Sequence, residues 1–141
     1  MPSPAAVSSP TLRLLLVEDS ARLAEMLCDM LNDLNHVAVA ATASDEAGAL
    51  AALQQQRIDL AIIDLELRSG SGLGVLRQLK ASPEVYGQPA TVVFSNYGHQ
   101  VLRTRCQALG VQHFFDKSFQ LDELLDHVQA QADALIAPDR A

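Results

Sequence analysis

The chain has 141 residues, a formal net charge of −7, and 49% hydrophobic but only 4% aromatic residues. That length fits one domain with a single sizeable core, and the acidity argues against the basic face with which proteins meet a phosphate backbone. No apolar run approaches the ~20 residues of a membrane span, and the Leu, Val, Ile and Ala content suits helices packed on a parallel sheet.

The Pro-, Ser- and Ala-rich start has neither the basic flank nor the long apolar core of a secretory signal, so residues 1–11 read as a flexible tail. Leu12 to Val17 predicts a first strand. Ser20 then caps a helix with Leu23, Leu27, Met30, Leu31 and Leu34 on one face. Val37 to Ala41 predicts a second strand, and Ser44 or Asp45 caps a helix bearing Ala47, Leu50 and Leu53. Leu60 to Ile63 is a short apolar run that ends at Asp64 and reads as a fully buried third strand. Beyond Gly72, a helix with Val75, Leu76 and Leu79 is expected to stop at Pro83.

Ala90 to Phe94 predicts the fourth strand. The next helix carries Val101, Leu102, Ala108 and Leu109 and meets Gly110 as a left-handed cap. Val111 to Phe115 predicts the fifth strand. In the last helix Asp122 and Glu123 complement the dipole, while Leu121, Leu124, Leu125 and Val128 form the buried face. Order is expected over 12–136, with 137–141 a second flexible tail. Five alternating strands and helices imply an α/β doubly wound, five-stranded parallel sheet, with helices on both faces and right-handed crossovers.

Cys28 and Cys106 lack metal or CxxC spacing and read as reduced structural thiols of an intracellular, cytoplasmic chain. His36, His99, His113 and His127 show no paired ligand spacing and read as surface or edge residues.

Chemistry collects where strands end, because open α/β sheets bind ligands at the carboxyl ends of their strands. Glu18 and Asp19 follow strand one, Asp64 follows strand three, Ser95 follows strand four, and Lys117 follows strand five. Taken singly, each has an ordinary explanation: acids at a helix start, a capping hydroxyl, a solvated lysine. Three carboxylates about 4 Å apart, however, repel by about 4 kcal/mol per pair at an effective dielectric of 20. Lys117 supplies one compensating charge, and a hydrated Mg²⁺ suits the remainder, with Mn²⁺ as a substitute.

These residues, in this order and with Gly72 eight positions beyond Asp64, resemble the receiver domain of bacterial two-component response regulators, over roughly Leu12 to Val128. The resemblance implies a flavodoxin-like (βα)5 fold with strand order 2-1-3-4-5. It implies Mg²⁺-dependent acceptance of a phosphoryl group by Asp64, from a sensor histidine kinase or a phosphotransfer protein, with metal ligands Glu18, Asp19, Asp64 and the backbone carbonyl of Glu66. Lys117 and Ser95 would hold phosphoryl oxygens. The chain itself would be a phosphoacceptor assisting its own phosphorylation and dephosphorylation, not an enzyme acting on other molecules. Phosphorylation would switch contacts with an unknown downstream protein, without direct nucleic-acid or membrane binding, in a monomer or weak homodimer. By analogy the output face includes Val101, Phe114 and Leu121. With no effector domain after the last helix, a single-domain regulator is expected, with a receiver excised from a larger protein as the alternative that the terminal residues do not decide.

Some positions depart from the family. Ser118 follows Lys117 where receivers commonly have a cis-linked proline, which leaves that peptide's geometry open. Phe114 lacks the hydroxyl of the usual switch tyrosine, and Arg68 replaces a common proline. Tyr97 is expected to shield the acyl phosphate from water, with Glu66 altering the approach of partners. A phosphorylation-independent interaction module is the alternative reading, supported by Ser118, Phe114 and Arg68. A phosphatase that uses a second Asp two residues after the nucleophile fits less well, because Glu66 stands there.

Overall fold

The computed structural model describes residues 10–96 and 100–136. Tyr97, His99 and all of the expected tails except Pro10 and Thr11 lie outside the described residues. The strands are β1 (Leu12–Val17), β2 (Val37–Ala43), β3 (Leu60–Ile63), β4 (Ala90–Ser95) and β5 (His113–Asp116). The helices are α1 (Ala21–Asn32), α2 (Glu46–Gln55), α3 (Gly72–Ala81), α4 (Pro83–Tyr86), α5 (Gln100–Ala108) and α6 (Leu121–Ile136).

All neighbouring strands run parallel in the order β2-β1-β3-β4-β5. This is the expected flavodoxin-like arrangement. Alternate residues of β1 and β3 feed two cores, one on each sheet face. Leu15, Val17, Ala61 and Ile63 pack with α2, α3 and α5. Leu14, Leu16, Leu60 and Ile62 pack with α1 and α6. Every residue of β3 is buried, so no polar group appears in that strand until Asp64 leaves it.

Local chemistry sets the boundaries. Ser20, Asp45 and Ser71 each accept a hydrogen bond from a backbone N–H of the first helical turn, so Asp45, not Ser44, caps α2. Pro83 does more than stop a helix: α3 ends at Ala81, and Pro83 opens the short α4, so the described residues contain six helices instead of five. Its fixed φ and missing N–H suit a first turn.

β2 runs to Ala43, two residues beyond the expected end, and its register against β1 slips between Leu14 and Leu15, leaving Ala40 as the extra residue. β5 begins at His113 instead of Val111. Gly110, at φ 98°, donates to the Gln107 carbonyl and Val111 to that of Cys106, so Val111 completes a Schellman cap before the strand starts.

Candidate functional site

Parallel pairing brings the ends of β1, β3, β4 and β5 to one edge of the sheet. The Asp64 N–H donates to the Val17 carbonyl at 3.0 Å, and the Lys117 N–H donates to the Ser95 carbonyl at 3.2 Å, so hydrogen bonding between neighbouring strands carries on into the loops. Glu18 donates its N–H to Ala43 at 2.9 Å and accepts the Ser20 N–H at 3.0 Å, which fixes the turn into α1.

Both Asp64 oxygens are engaged. Oδ1 accepts the Ser95 hydroxyl at 2.9 Å and the Glu66 N–H at 3.1 Å; Oδ2 accepts Lys117 Nζ at 2.7 Å. The same ammonium reaches Glu18 Oε1 at 2.7 Å. Glu18, Asp64 and Ser95 are buried. Burial alone lowers the Lys117 pKa, but hydrogen bonds to Asp64 and Glu18, reinforced by their charges, outweigh it and hold the ammonium above its ordinary value. Lys117 is therefore charged throughout the physiological range.

Carboxylate oxygens of Glu18, Asp19 and Asp64 lie within 4.8 Å of one another. Three formal negative charges facing one lysine leave an excess that a divalent ion offsets, and the donors are the hard oxygens that Mg²⁺ and Mn²⁺ prefer. The donor set fits such an ion. Glu66 is exposed and is not one of the three clustered carboxylates. A cleft of about 440 Å³ opens beside the acids, bordered by Glu18, Asp19, Glu25, Ser44 and Arg68.

The loop after Lys117 needs no cis peptide: no peptide bond among the described residues is cis, and the trans Lys117–Ser118 linkage still delivers the ammonium to both acids. Ser118 donates its N–H to Asp116 Oδ1 at 2.7 Å and its hydroxyl to Asn96 Oδ1 at 3.2 Å. Arg68 donates to the Asp19 carbonyl at 3.3 Å, tying its loop to the acidic turn. Phe114 is half-buried beneath the Arg103 guanidinium, 4.3 Å from the ring centroid.

Three features escaped sequence reasoning. Glu46 accepts the Ser71 N–H at 3.0 Å and donates its own N–H to Ser69 at 3.1 Å, bracing the loop that follows Asp64. Its acidic position in a helix's first turn was visible, but not the reach to another loop. Phe119, next to the Lys117 loop, is 73% exposed, as no periodicity could foretell. His113 and His127 pair with ring centroids 4.2 Å apart, a contact made by a strand and a helix distant in sequence.

Fold and site define an open α/β protein whose polar chemistry is gathered at the carboxyl edge of its sheet. The family described as "Response regulator receiver domain" matches residues 14–129, and the chain belongs to that family. It is 30% identical over 125 residues to the two-component response regulator PhoP of Pseudomonas aeruginosa, covering 89% of this chain and 52% of that protein. It thus spans about half the length of that relative. Among solved structures, the phosphorylated cyanobacterial phytochrome response regulator RcpA is 25% identical with a TM-score of 0.73, covering 91% of this chain and 96% of the other. The Mn²⁺-bound form of the response regulator Rcp1 is 26% identical with a TM-score of 0.69, covering 89% and 94%.

Receiver domains are phosphoacceptors of two-component phosphorelays, and the Glu18, Asp19 and Asp64 cluster fits the phosphorylation site. They bind Mg²⁺ or Mn²⁺ at an acidic site and interact with histidine kinases or phosphotransfer proteins. The receiver domain is not itself an enzyme. No helix among the described residues is long and apolar enough to cross a membrane.

Proposed function

We propose that Asp64 accepts the phosphoryl group, using Lys117 and Ser95 as oxygen ligands and Glu18, Asp19, Asp64 and the Glu66 carbonyl as the metal's protein ligands. The observation that carries this reading is the simultaneous engagement of both Asp64 oxygens by Ser95 and Lys117 inside the three-acid cluster. An Asp64 oxygen attacks phosphorus, the bond from phosphorus to the donor's imidazole nitrogen breaks, and an acyl phosphate forms. A bound Mg²⁺ would supply charge neutralisation between the acids and the incoming oxygens. Lys117, already charged, exchanges its Asp64 contact for a phosphoryl oxygen, and the Ser95 hydroxyl turns its proton toward another. These groups would assist both phosphorylation and later attack by water, which is the sense in which the chain acts on itself.

Residues 12–136 form the receiver unit in this reading, with 1–11 and 137–141 as flanking tails, in a cytoplasmic monomer or weak homodimer. The donor is a sensor histidine kinase or phosphotransfer protein. The output face includes Val101, Phe114 and Leu121, supported by the exposure of Val101 and the neighbouring Phe119. Tyr97 would limit access of water to the acyl phosphate.

Incubation with Mg²⁺ and acetyl phosphate, followed by intact mass measurement, tests the reading. A single phosphoryl adduct is expected on the wild type and none on Asp64→Asn. A folded wild type that forms no adduct would leave only the phosphorylation-independent interaction module, and an equal adduct on Asp64→Asn would place the acceptor elsewhere.

A further inference from the structure

Charge is distributed very unevenly along this acidic chain. Between Leu67 and Phe115 there is one acid, Glu84, against Arg68, Arg77, Lys80, Arg103 and Arg105. The rest of the chain is strongly acidic. The fold turns this segregation into opposite faces: α1 and α6, with Glu25, Asp29, Asp122, Glu123, Asp126 and Asp133, lie on one side of the sheet. α3 and α5 lie on the other side, and neither contains an acid.

Between α3 and α5 runs a groove of about 290 Å³ lined by Leu73, Arg77, Arg105, Ala108 and Leu109. It adjoins a second hollow of about 220 Å³ that shares Leu109 and is bordered by Lys80. Leu73 and Leu109 are half-buried; Arg77, Lys80, Arg105 and Ala108 are exposed. None of the three cations forms a salt bridge among the described residues. An apolar floor with unpaired cations on both walls matches a ligand having apolar side chains on one stripe and carboxylates beside it.

We propose that the α3–α5 groove docks an acidic amphipathic helical segment of a partner protein, whose leucine-like side chains lie over Leu73, Ala108 and Leu109 while its carboxylates meet Arg77, Lys80 and Arg105. The groove is separate from the phosphoacceptor edge and borders the proposed output face, since Val101 stands on the same stripe of α5 as Arg105 and Ala108. Charge decides the occupant. A second copy would have to present its acidic α1 or α6 face, giving a heterologous, head-to-tail contact that builds rings or filaments and not a twofold dimer. Nucleic acid would leave the apolar floor unused.

The test uses the full chain and a fluorescein-labelled helical peptide of about twelve residues, with leucines at i, i+3, i+4 and i+7 and glutamates on the flanks. Fluorescence anisotropy should show saturable binding that weakens with salt, and amide shifts should map to α3 and α5. Binding should weaken at least about tenfold in the double variant Arg77→Glu, Arg105→Glu. Ala108→Trp, at an exposed position that tolerates bulk, should weaken it similarly by filling the groove. The proposal is overturned if the wild type does not bind, if a lysine-flanked peptide binds equally well, or if the amide shifts map elsewhere. Tighter binding of single-stranded DNA at these arginines, or self-association that Arg77→Glu abolishes in sedimentation, would also overturn it.

Discussion

Lys117 is the residue on which the resting state of the site depends. One ammonium lies 2.7 Å from a Glu18 oxygen and 2.7 Å from an Asp64 oxygen, and both carboxylates are buried. Removing the cation strands two charges away from water, which costs more than the pair's net contribution to stability. Lys117→Met should therefore lower the stability of the metal-free protein by about 3 kcal/mol, measured by urea unfolding in a chelator, and Mg²⁺ should recover part of the loss. Because the folded-state pKa is raised, the lysine's contribution is complete below its ordinary value and is lost only as pH rises through the raised one, in the alkaline range. Unfolding midpoints near neutrality should show no trend from this residue. Asp64→Asn acts in the opposite sense, relieving repulsion with Glu18 and Asp19, and should raise the metal-free melting temperature while reducing the further rise on adding Mg²⁺.

At the scale of elements, the β3–α3 connection is held from two sides. Gly72 lies so close to the end of β3 that an added Cβ would collide with the Asp64 carbonyl oxygen and sit 2.9 Å from Leu65 Cα. Backbone cannot yield as a side-chain tip does, so Gly72→Ala should cost about 3 kcal/mol and disturb Asp64 itself; urea midpoints and acetyl phosphate labelling should fall together. Glu46 braces the other side, and Glu46→Ala, which leaves the Ser71 N–H without its acceptor, should cost about 1–2 kcal/mol. At the β5–α6 contact, burial first and then His113 hold the His127 imidazole below its ordinary value. The unfolded chain then binds a proton more readily, so this contribution is intact above the ordinary value of about 6.5 and is lost as pH falls through it towards the lowered one. Urea midpoints of the wild type should drop more steeply on acidification than those of His127→Gln.

Over the whole molecule, a parallel sheet with both faces covered turns four separate chain segments into one polar edge. The alternation of short apolar runs with helical stripes was enough to read the α/β class, and strand-end residues were enough to name Glu18, Asp19, Asp64, Ser95 and Lys117. Strand order came from resemblance, because periodicity records which face of a strand is buried and not which strand lies beside it. The extra residue in β2, the later start of β5 and the separate α4 depended on a bulge, a Schellman cap and a proline-led turn, where a few backbone hydrogen bonds override a smooth pattern.

By itself the sequence determined that Asp64 ends a buried strand and that further acids, a hydroxyl and a lysine end the others, since those positions follow from hydrophobic period and chain order alone. The tertiary structure decided what those residues do to one another. Only folding places Lys117 between Glu18 and Asp64, turns Ser95 onto Asp64, carries Glu46 to the Ser71 loop, and separates the acidic face from the α3–α5 arginines. Each of these is a contact between segments remote in sequence, fixed by strand pairing and crossover, and no local pattern encodes a distance across the sheet.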